Sequence, residues 1–225
     1  MIPLRFEPVL AELRPLGEIF SKANFRLYVV GGTVRDLLLD RATDALDFDL
    51  TTDATPQEIK NLLAGWADAV WTAGERFGTI SCQKNGRTYE ITTHRAEAYS
   101  PDSRKPDVEF STDITTDLSR RDFTINAMAL ELTTENPVLV DPFGGATDLV
   151  SRVLRTPLSA TESFSDDPLR MMRAARFISM LKFQPVDELI DAVKSMHERL
   201  KIVSAERIRN ELDRLLVTEY PSLGL

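Results

Sequence analysis

The sequence predicts a mixed α/β domain over residues 1–150 followed by an all-helical segment over 151–225, and three observations carry that reading. Short β-prone runs are confined to the first part, at 25–30, 44–52 and 78–94. Helical composition dominates after residue 115, and the turn-rich Asp141-Pro142-Phe143-Gly144-Gly145 separates the two regimes. Strands first and helices later is the pattern of such a two-part α/β architecture.

Along the chain, MIPLRFEPVLAELRPLGEIF mixes charges with apolar residues at helical spacing and reads as an amphipathic helix. Residues 25–30, FRLYVV, form a strand that stops at Gly31-Gly32, and VRDLLL continues as a helix. In DALDFDLTT the alternation puts Asp47 and Asp49 on one strand face and Phe48 and Leu50 on the other. Thr55-Pro56-Gln57-Glu58 opens a helix with Thr55 as cap, Pro56 at its first position and Glu58 completing a capping box. GTISCQK and RTYEITTH flank Asn85-Gly86 and predict a hairpin with Glu90 in its second strand. The polar RAEAYSPDSRKPDVEF, with two prolines and many charges, is expected to be a mobile loop. Helices are expected at about 115–130, 166–183, 186–200 and 204–217.

With 225 residues and 43% hydrophobic content the chain can bury one substantial core, or a core plus a smaller packed segment. One cysteine, Cys82, excludes an internal disulfide framework, and two histidines beside it are too few for an ordinary zinc site. A reducing, cytoplasmic setting is expected. The N-terminus has no secretory signal pattern, and no apolar run approaches the roughly 18 residues that cross a bilayer. The net charge of −8 is unusual for a nucleic-acid binder. It is unevenly spread: residues 1–150 carry 15 Lys and Arg against 24 Asp and Glu, and residues 151–217 carry 12 against 10. An acidic part that binds cations, joined to a mildly basic helical part, is compatible with a metal-and-nucleotide enzyme.

Asp47 and Asp49 lie about 7 Å apart along a strand. Two such carboxylates repel each other, and a cation between them relieves the repulsion. Mg²⁺ takes oxygen ligands and commonly uses one or two carboxylates together with substrate phosphates. An exposed pair on a solvated strand is the plain alternative. The turn at Gly31-Gly32, after a strand and at the start of a helix, lets backbone N–H groups approach a phosphate, with Arg35 one turn further.

The segment GGTVRDLLLDRATDALDFDL resembles the active-site motif of the tRNA nucleotidyltransferase and bacterial poly(A) polymerase family, within the polymerase-β-like nucleotidyltransferase superfamily. RRDFTINAMAL (120–130) is similar to that family's ribose- and triphosphate-binding motif, and DDPLRMMRAARF (166–177) to its nucleotide-selecting helix. SAERIRNELDRLL (204–216) resembles its later helical motif, and Asp102-Ser103-Arg104-Lys105-Pro106 its flexible loop. The resemblance implies a nucleotidyltransferase head with a small mixed sheet and an all-helical neck.

By the same resemblance, Asp47 and Asp49 would hold two Mg²⁺ ions, Glu90 would be the third carboxylate, and Gly31, Gly32 and Arg35 would meet the triphosphate. Arg121 would contact the nucleotide and Asp122 the ribose 2′-hydroxyl, supported by Asn126. Asp167 and Arg170 would read the base edge, with Arg173 and Arg176 nearby. Independently, Arg170, Arg173 and Arg176 fall in a band about 120° wide that also holds Leu169, Phe177 and Met180. A solvated face does not mix arginines with such side chains; packing along a core edge and pairing with acids such as Asp166 is the structural alternative. Asp166 stands where the family more often has glutamate.

The activity implied is addition of C and A from CTP and ATP to the 3′ end of tRNA. Poly(A) synthesis and A-only addition are the enzymatic alternatives; the presence of the loop argues against CC-only addition. A non-catalytic RNA-binding module on the same fold is the alternative from another class. Members of the family continue into further helical domains, so the chain is expected to be part of a longer protein, binding CTP and ATP well and tRNA weakly and salt-sensitively. Oligomeric state is left open.

Overall fold

The computed structural model describes residues 3–41, 47–100 and 103–225, with side chains described for all of these outside 96–108. A 3-10 turn at Leu4–Phe6 leads into α1 (Glu7–Lys22), the expected amphipathic helix, which buries Leu13, Leu16 and Phe20 completely. Then follow β1 (Leu27–Val30), α2 (Gly32–Leu38), β2 (Asp47–Thr52), α3 (Pro56–Leu63), β3 (Ala69–Trp71), β4 (Thr79–Lys84) and β5 (Arg87–Thr93). The next elements are β6 (Arg95–Ser100), β7 (Ser103–Phe110), α4 (Ile114–Ser119), β8 (Ala129–Glu131), β9 (Leu139–Val140), α5 (Gly145–Ser151) and β10 (Val153–Leu154). The later part holds α6 (Ala160–Asp166), α7 (Leu169–Leu181), β11 (Gln184–Pro185), α8 (Asp187–Met196) and α9 (Ala205–Leu216).

The central sheet is mixed, in the order β3-β4-β5-β2-β1-β8-β9, with β2 and β5 as its parallel pair. Local signals set several of these elements. The capping box at α3 forms in both directions between Thr55 and Glu58. Asn85 and Gly86 take positive φ angles of 52° and 78° in the β4–β5 turn, as a two-residue hairpin turn requires. In β2, Phe48 and Leu50 are buried while Asp47 and Asp49 face outward.

Two expectations are corrected. Residues 95–100 and 103–110 are the two strands of an antiparallel ribbon, β6 and β7, not a loop. Both strands of such a ribbon are edge strands, so Pro106, which has no N–H, is tolerated where a central strand would reject it. The ribbon joins the body of the protein through Ser111 N–H to the His94 carbonyl at 2.8 Å. Asp102 lies outside the described residues.

The single helix expected at 115–130 is three things: α4, one 3-10 turn at Thr124–Asn126, and β8. Tertiary pairing decides this, because Leu130 and Ala129 pair with Val29 and Val30 of β1, while Phe123, Ile125 and Met128 are fully buried. The helix expected at 166–183 is preceded by a separate one, α6, capped by a reciprocal Ser159–Glu162 box.

One hydrophobic core runs from the sheet into the later helices. It joins Phe48, Leu50 and Ile80 to Phe164, Met171, Phe177 and Leu189 without a break at residue 150. Phe123 meets Phe177 edge-to-face at 5.5 Å, which seats α7 on the strand-rich part. Among the described residues no helix is long and apolar enough to cross a membrane.

Candidate active site

The parallel register of β2 and β5 sets Asp49 directly opposite Glu90. With Asp47 two residues before Asp49, three carboxylates therefore share one sheet face. Repulsion among them adds to restricted solvent at Glu90 and Asp49. Restricted solvent first, then Asp49 and Asp47, hold the Glu90 carboxyl above its ordinary range. For Asp49, restricted solvent raises the carboxyl, Arg121 opposes the shift and Asp47 adds to it, and the balance is upward even though the side chain opens to the cleft. Gly31 borders the same spot in a conformation open to glycine (φ 71°, ψ −132°). A Cβ placed there would come within 3.4 Å of Arg121 Nη1 and 4.0 Å of Asp49 Oδ2.

The Arg120-Arg121-Asp122 segment forms the adjoining wall. Asp117, 1% exposed, accepts from Arg121 Nη2 at 3.2 Å, and Arg120 Nε lies 3.7 Å from it. Burial works against ionised Asp117, but Arg121 and Arg120 outweigh it and hold its carboxyl below the usual range. Asp122 is saturated with donors. Its Oδ1 takes the Phe123 N–H at 2.9 Å and Asn126 Nδ2 at 3.0 Å, and Arg173 Nε reaches Oδ2 at 2.9 Å. Burial would raise its carboxyl; Arg173 and Asn126 nevertheless keep it low.

Asn126 thus contacts Asp122 as expected, although through a 3-10 turn rather than along an α-helix. Its other end accepts from Arg35 Nη1 at 2.7 Å. Arg35 also forks onto Asp36 through Nε at 2.9 Å and Nη2 at 2.8 Å, and its guanidinium carbon lies 5.3 Å from the Phe177 ring centroid. This guanidinium is buried, and Nε, Nη1 and Nη2 each already donate to a protein oxygen, so its charge is shared with Asp36 and Asn126 before any phosphate arrives.

The third wall comes from α7 and α9. Arg170 directs Nη1 to Ser163 Oγ at 2.8 Å and Nη2 to the Arg120 carbonyl at 2.5 Å. Arg173 bridges Asp122 and Glu211, and Arg176 donates from Nε to Glu211 at 2.6 Å. Asp122 and Glu211 are therefore acids that pair with Arg173 and Arg176. Asp167 accepts the Leu169 N–H at 3.1 Å and pairs with Arg207 at 2.9 Å.

Together these walls enclose a cleft of about 540 Å³. Of the residues singled out from sequence, Asp49, Glu90, Arg121, Asp122, Asp167, Arg170 and Arg173 line it. Asp47, Gly31, Gly32, Arg35, Asn126 and Arg176 stand beside or behind that lining. Sequence reasoning missed Asp117, Arg207 and Glu211. Asp117 had a signal, since it precedes Arg120 and Arg121 by three and four residues, the spacing of helical ion pairs. Among the described residues no group of three or more Asp, Glu, His or Cys side chains forms a ready-made metal cage. The donor set still fits Mg²⁺, which commonly takes one or two protein carboxylates and completes its shell with water and phosphate.

Two family models match the chain: the "Poly A polymerase head domain" over residues 27–155, and the "Probable RNA and SrmB- binding site of polymerase A" over 182–225. Among curated proteins it is 43% identical to the CCA-adding enzyme of Lactobacillus helveticus over 92% of this chain and 50% of that protein. It is 39% identical to that of Streptococcus uberis over 100% and 53%. The structure is similar to the Bacillus stearothermophilus CCA-adding enzyme in complex with CTP, with TM-score 0.83 and 31% identity over 99% of this chain and 51% of that one. It is also similar to the Thermotoga maritima CCA-adding enzyme complexed with tRNA, with TM-score 0.80 and 32% identity over 96% and 49%. The chain spans about half the length of the curated relatives it matches. With more than half of its residues matched by the first model, the chain belongs to the poly A polymerase head domain family.

Proposed function

We propose that this chain is the nucleotide-binding and catalytic part of a tRNA nucleotidyltransferase that adds C and A from CTP and ATP to the 3′ end of tRNA, in the cytoplasm. The observation that carries this reading is the meeting, in one cleft, of the β2 and β5 carboxylates with Asp122, Asp167 and the arginines of α7. The names of its relatives, CCA-adding enzymes, favour the same activity. Residues 1–150 serve as the head that carries the chemistry, and 151–225 as the neck that reads the base.

Asp47 and Asp49 would hold Mg²⁺, which when bound neutralises phosphate charge and lowers the pKa of an attacking hydroxyl. The residues of the chain do the rest. Glu90, with its heightened proton affinity, is suited to receive the proton of the RNA 3′-hydroxyl as that oxygen bonds to the α-phosphorus, the bond from the α-phosphorus to the bridging oxygen breaks and pyrophosphate leaves. Arg121, tethered to Asp117 and close to Gly31, offers a fixed positive charge for the triphosphate beside the glycine turn. Gly31 and Gly32 keep that turn free of side chains, and Arg35 braces it from behind through Asn126. Asp122, kept ionised, accepts from the ribose hydroxyl when that hydroxyl takes the place of one of its present donors, Arg173 or Asn126. Arg176 holds Glu211 and so steadies Arg173.

Base choice follows from hydrogen-bond type. Cytosine and adenine both present an exocyclic amino group for Asp167 and a ring nitrogen for Arg170, whose five N–H donors exceed those used on Ser163 and Arg120. Uracil sets a carbonyl against the carboxylate, and an unpaired buried polar group is the kind of mismatch that makes rejection strong.

The test is incubation with Mg²⁺ and each labelled nucleotide in turn, on tRNA lacking CCA and on tRNA ending in CC, beside calorimetry with CTP and ATP. Ordered incorporation of C and then A, or tight selective binding of both nucleotides, supports the reading. Runs of A on any 3′ end would establish poly(A) synthesis instead, and binding of neither nucleotide would favour a non-catalytic module.

A further inference from the structure

The carboxylate expected to read the base is not partnered by the arginine expected to share that task. Asp167 stands between α6 and α7 in an extended conformation (φ −136°, ψ 101°), so a bend in the chain aims its side chain. One oxygen, Oδ1, accepts the Leu169 N–H at 3.1 Å. The other, Oδ2, accepts from Nη2 of Arg207 at 2.9 Å, across 40 residues of sequence. Arg170 instead directs Nη1 to Ser163 and Nη2 to the Arg120 carbonyl. Asp167 and Arg207 both line the cleft, and their side chains are 26% and 43% exposed.

Resting on the function proposed above, we propose that Arg207 is a specificity-determining positioning residue: it fixes the plane of the Asp167 carboxylate, so that nucleotide choice depends on α9 as well as on α7. A carboxylate anchored at one oxygen turns freely about its Cβ–Cγ bond, and a second donor on the other oxygen removes that freedom. Each carboxylate oxygen has two acceptor positions. Oδ2 therefore keeps one for an exocyclic amino group while Arg207 holds the other. The pair is too exposed to be a main support of the fold. Glu211 with Arg176 and Arg173 docks α9 on α7 independently, so α9 stays in place without Arg207.

The experiment compares wild type, Arg207→Ala, Arg207→Lys and Arg207→Gln by calorimetric titration with CTP, ATP, UTP and GTP, with urea unfolding in parallel. Arg207→Ala is expected to lower the ratio of CTP to UTP affinity by about five- to tenfold, the size of one ordinary hydrogen bond. The urea midpoint should stay near that of wild type, and Arg207→Lys should recover most of the ratio. An equal loss for all four nucleotides, or an unchanged ratio, overturns the proposal. Should the alanine variant fail to fold, the same ratio in the lysine and glutamine variants decides it. Wild type without preference for CTP and ATP would sink the functional reading itself, whereas a preference that survives loss of Arg207 sinks only the role of Arg207.

Discussion

Removing Glu211 should cost more stability than removing any single surface acid of this chain. It is 5% exposed and accepts from Arg176 Nε at 2.6 Å and Arg173 Nη1 at 3.5 Å. Arg176 is itself nearly buried, its side chain 11% exposed, with the guanidinium 4.5 Å from the Phe177 ring centroid. Glu211→Ala leaves that guanidinium without a counter-charge in a place water hardly enters. Breaking a buried pair from one side costs about 3–5 kcal/mol. Arg173 retains Asp122, so the lower end, about 3 kcal/mol, applies here. For a chain of this size that is a fall in Tm of about 6–12 °C.

Glu211→Gln keeps an acceptor oxygen and should lose about 1–2 kcal/mol. The assay is urea unfolding at pH 7 of both variants, of Arg176→Met, and of the double variant Glu211→Ala/Arg176→Met. Because the double variant no longer contains the stranded charge on α7, it should be less destabilised than the two single losses added together, by about 1–3 kcal/mol. A loss below about 1 kcal/mol in Glu211→Ala, or strictly additive losses, would refute the pairing as the origin of the effect.

Three further outcomes follow from the cleft. Asp49 has its carboxyl raised, so its proton-bound form favours the fold; that stability is complete below the unfolded carboxylate range and is lost as pH rises through the folded value. Asp49→Asn should therefore unfold at higher urea than wild type at pH 7, with the difference closing towards about pH 3 and nucleotide transfer abolished; a destabilised variant at pH 7 contradicts this. Asn126→Asp sets a carboxylate against Asp122 Oδ1 where an amide now donates, and should lose about 2 kcal/mol at neutral pH and bind CTP more weakly; wild-type stability and affinity would show the bridge to be dispensable. Gly31→Ala forces a side chain into a glycine conformation beside Arg121, at a strain of about 1–3 kcal/mol, and calorimetry should record weaker CTP binding; an unchanged titration would remove the turn from the phosphate site.

What was legible in the sequence was set by neighbours in sequence. The Thr55 capping box, the Asn85-Gly86 hairpin and the two faces of β2 each depend on two to eight consecutive residues, and each formed as read. The segment 115–130 was misread because its last strand exists only through pairing with β1, some hundred residues earlier. Residues 95–100 and 103–110 were misread because charges and prolines mask a ribbon that its own backbone ladder holds together. Among site residues, the carboxylates could be found from alternation, and Asp122 with Asn126 from resemblance. Their partners could not: Arg35 meets Asn126 across 91 positions, and Arg173 meets Asp122 across 51.

Those distant partners also resolve why so acidic a chain carries a cleft for anions. The lining arginines do not form a loose basic patch, since Arg121 is tied to Asp117, Arg173 to Asp122 and Glu211, and Arg207 to Asp167. Each acid cancels part of the long-range attraction of its arginine but fixes where the guanidinium points. A site of this kind gives up general anion affinity and gains donors that need little rearrangement when a phosphate or base arrives, and such preorganisation is what stabilises charge developing during a reaction. On the proposed function the buried acids Asp117, Asp122 and Glu211 belong to the binding chemistry, and a count of surface charge misjudges the cleft because it sets them against the arginines they hold in place.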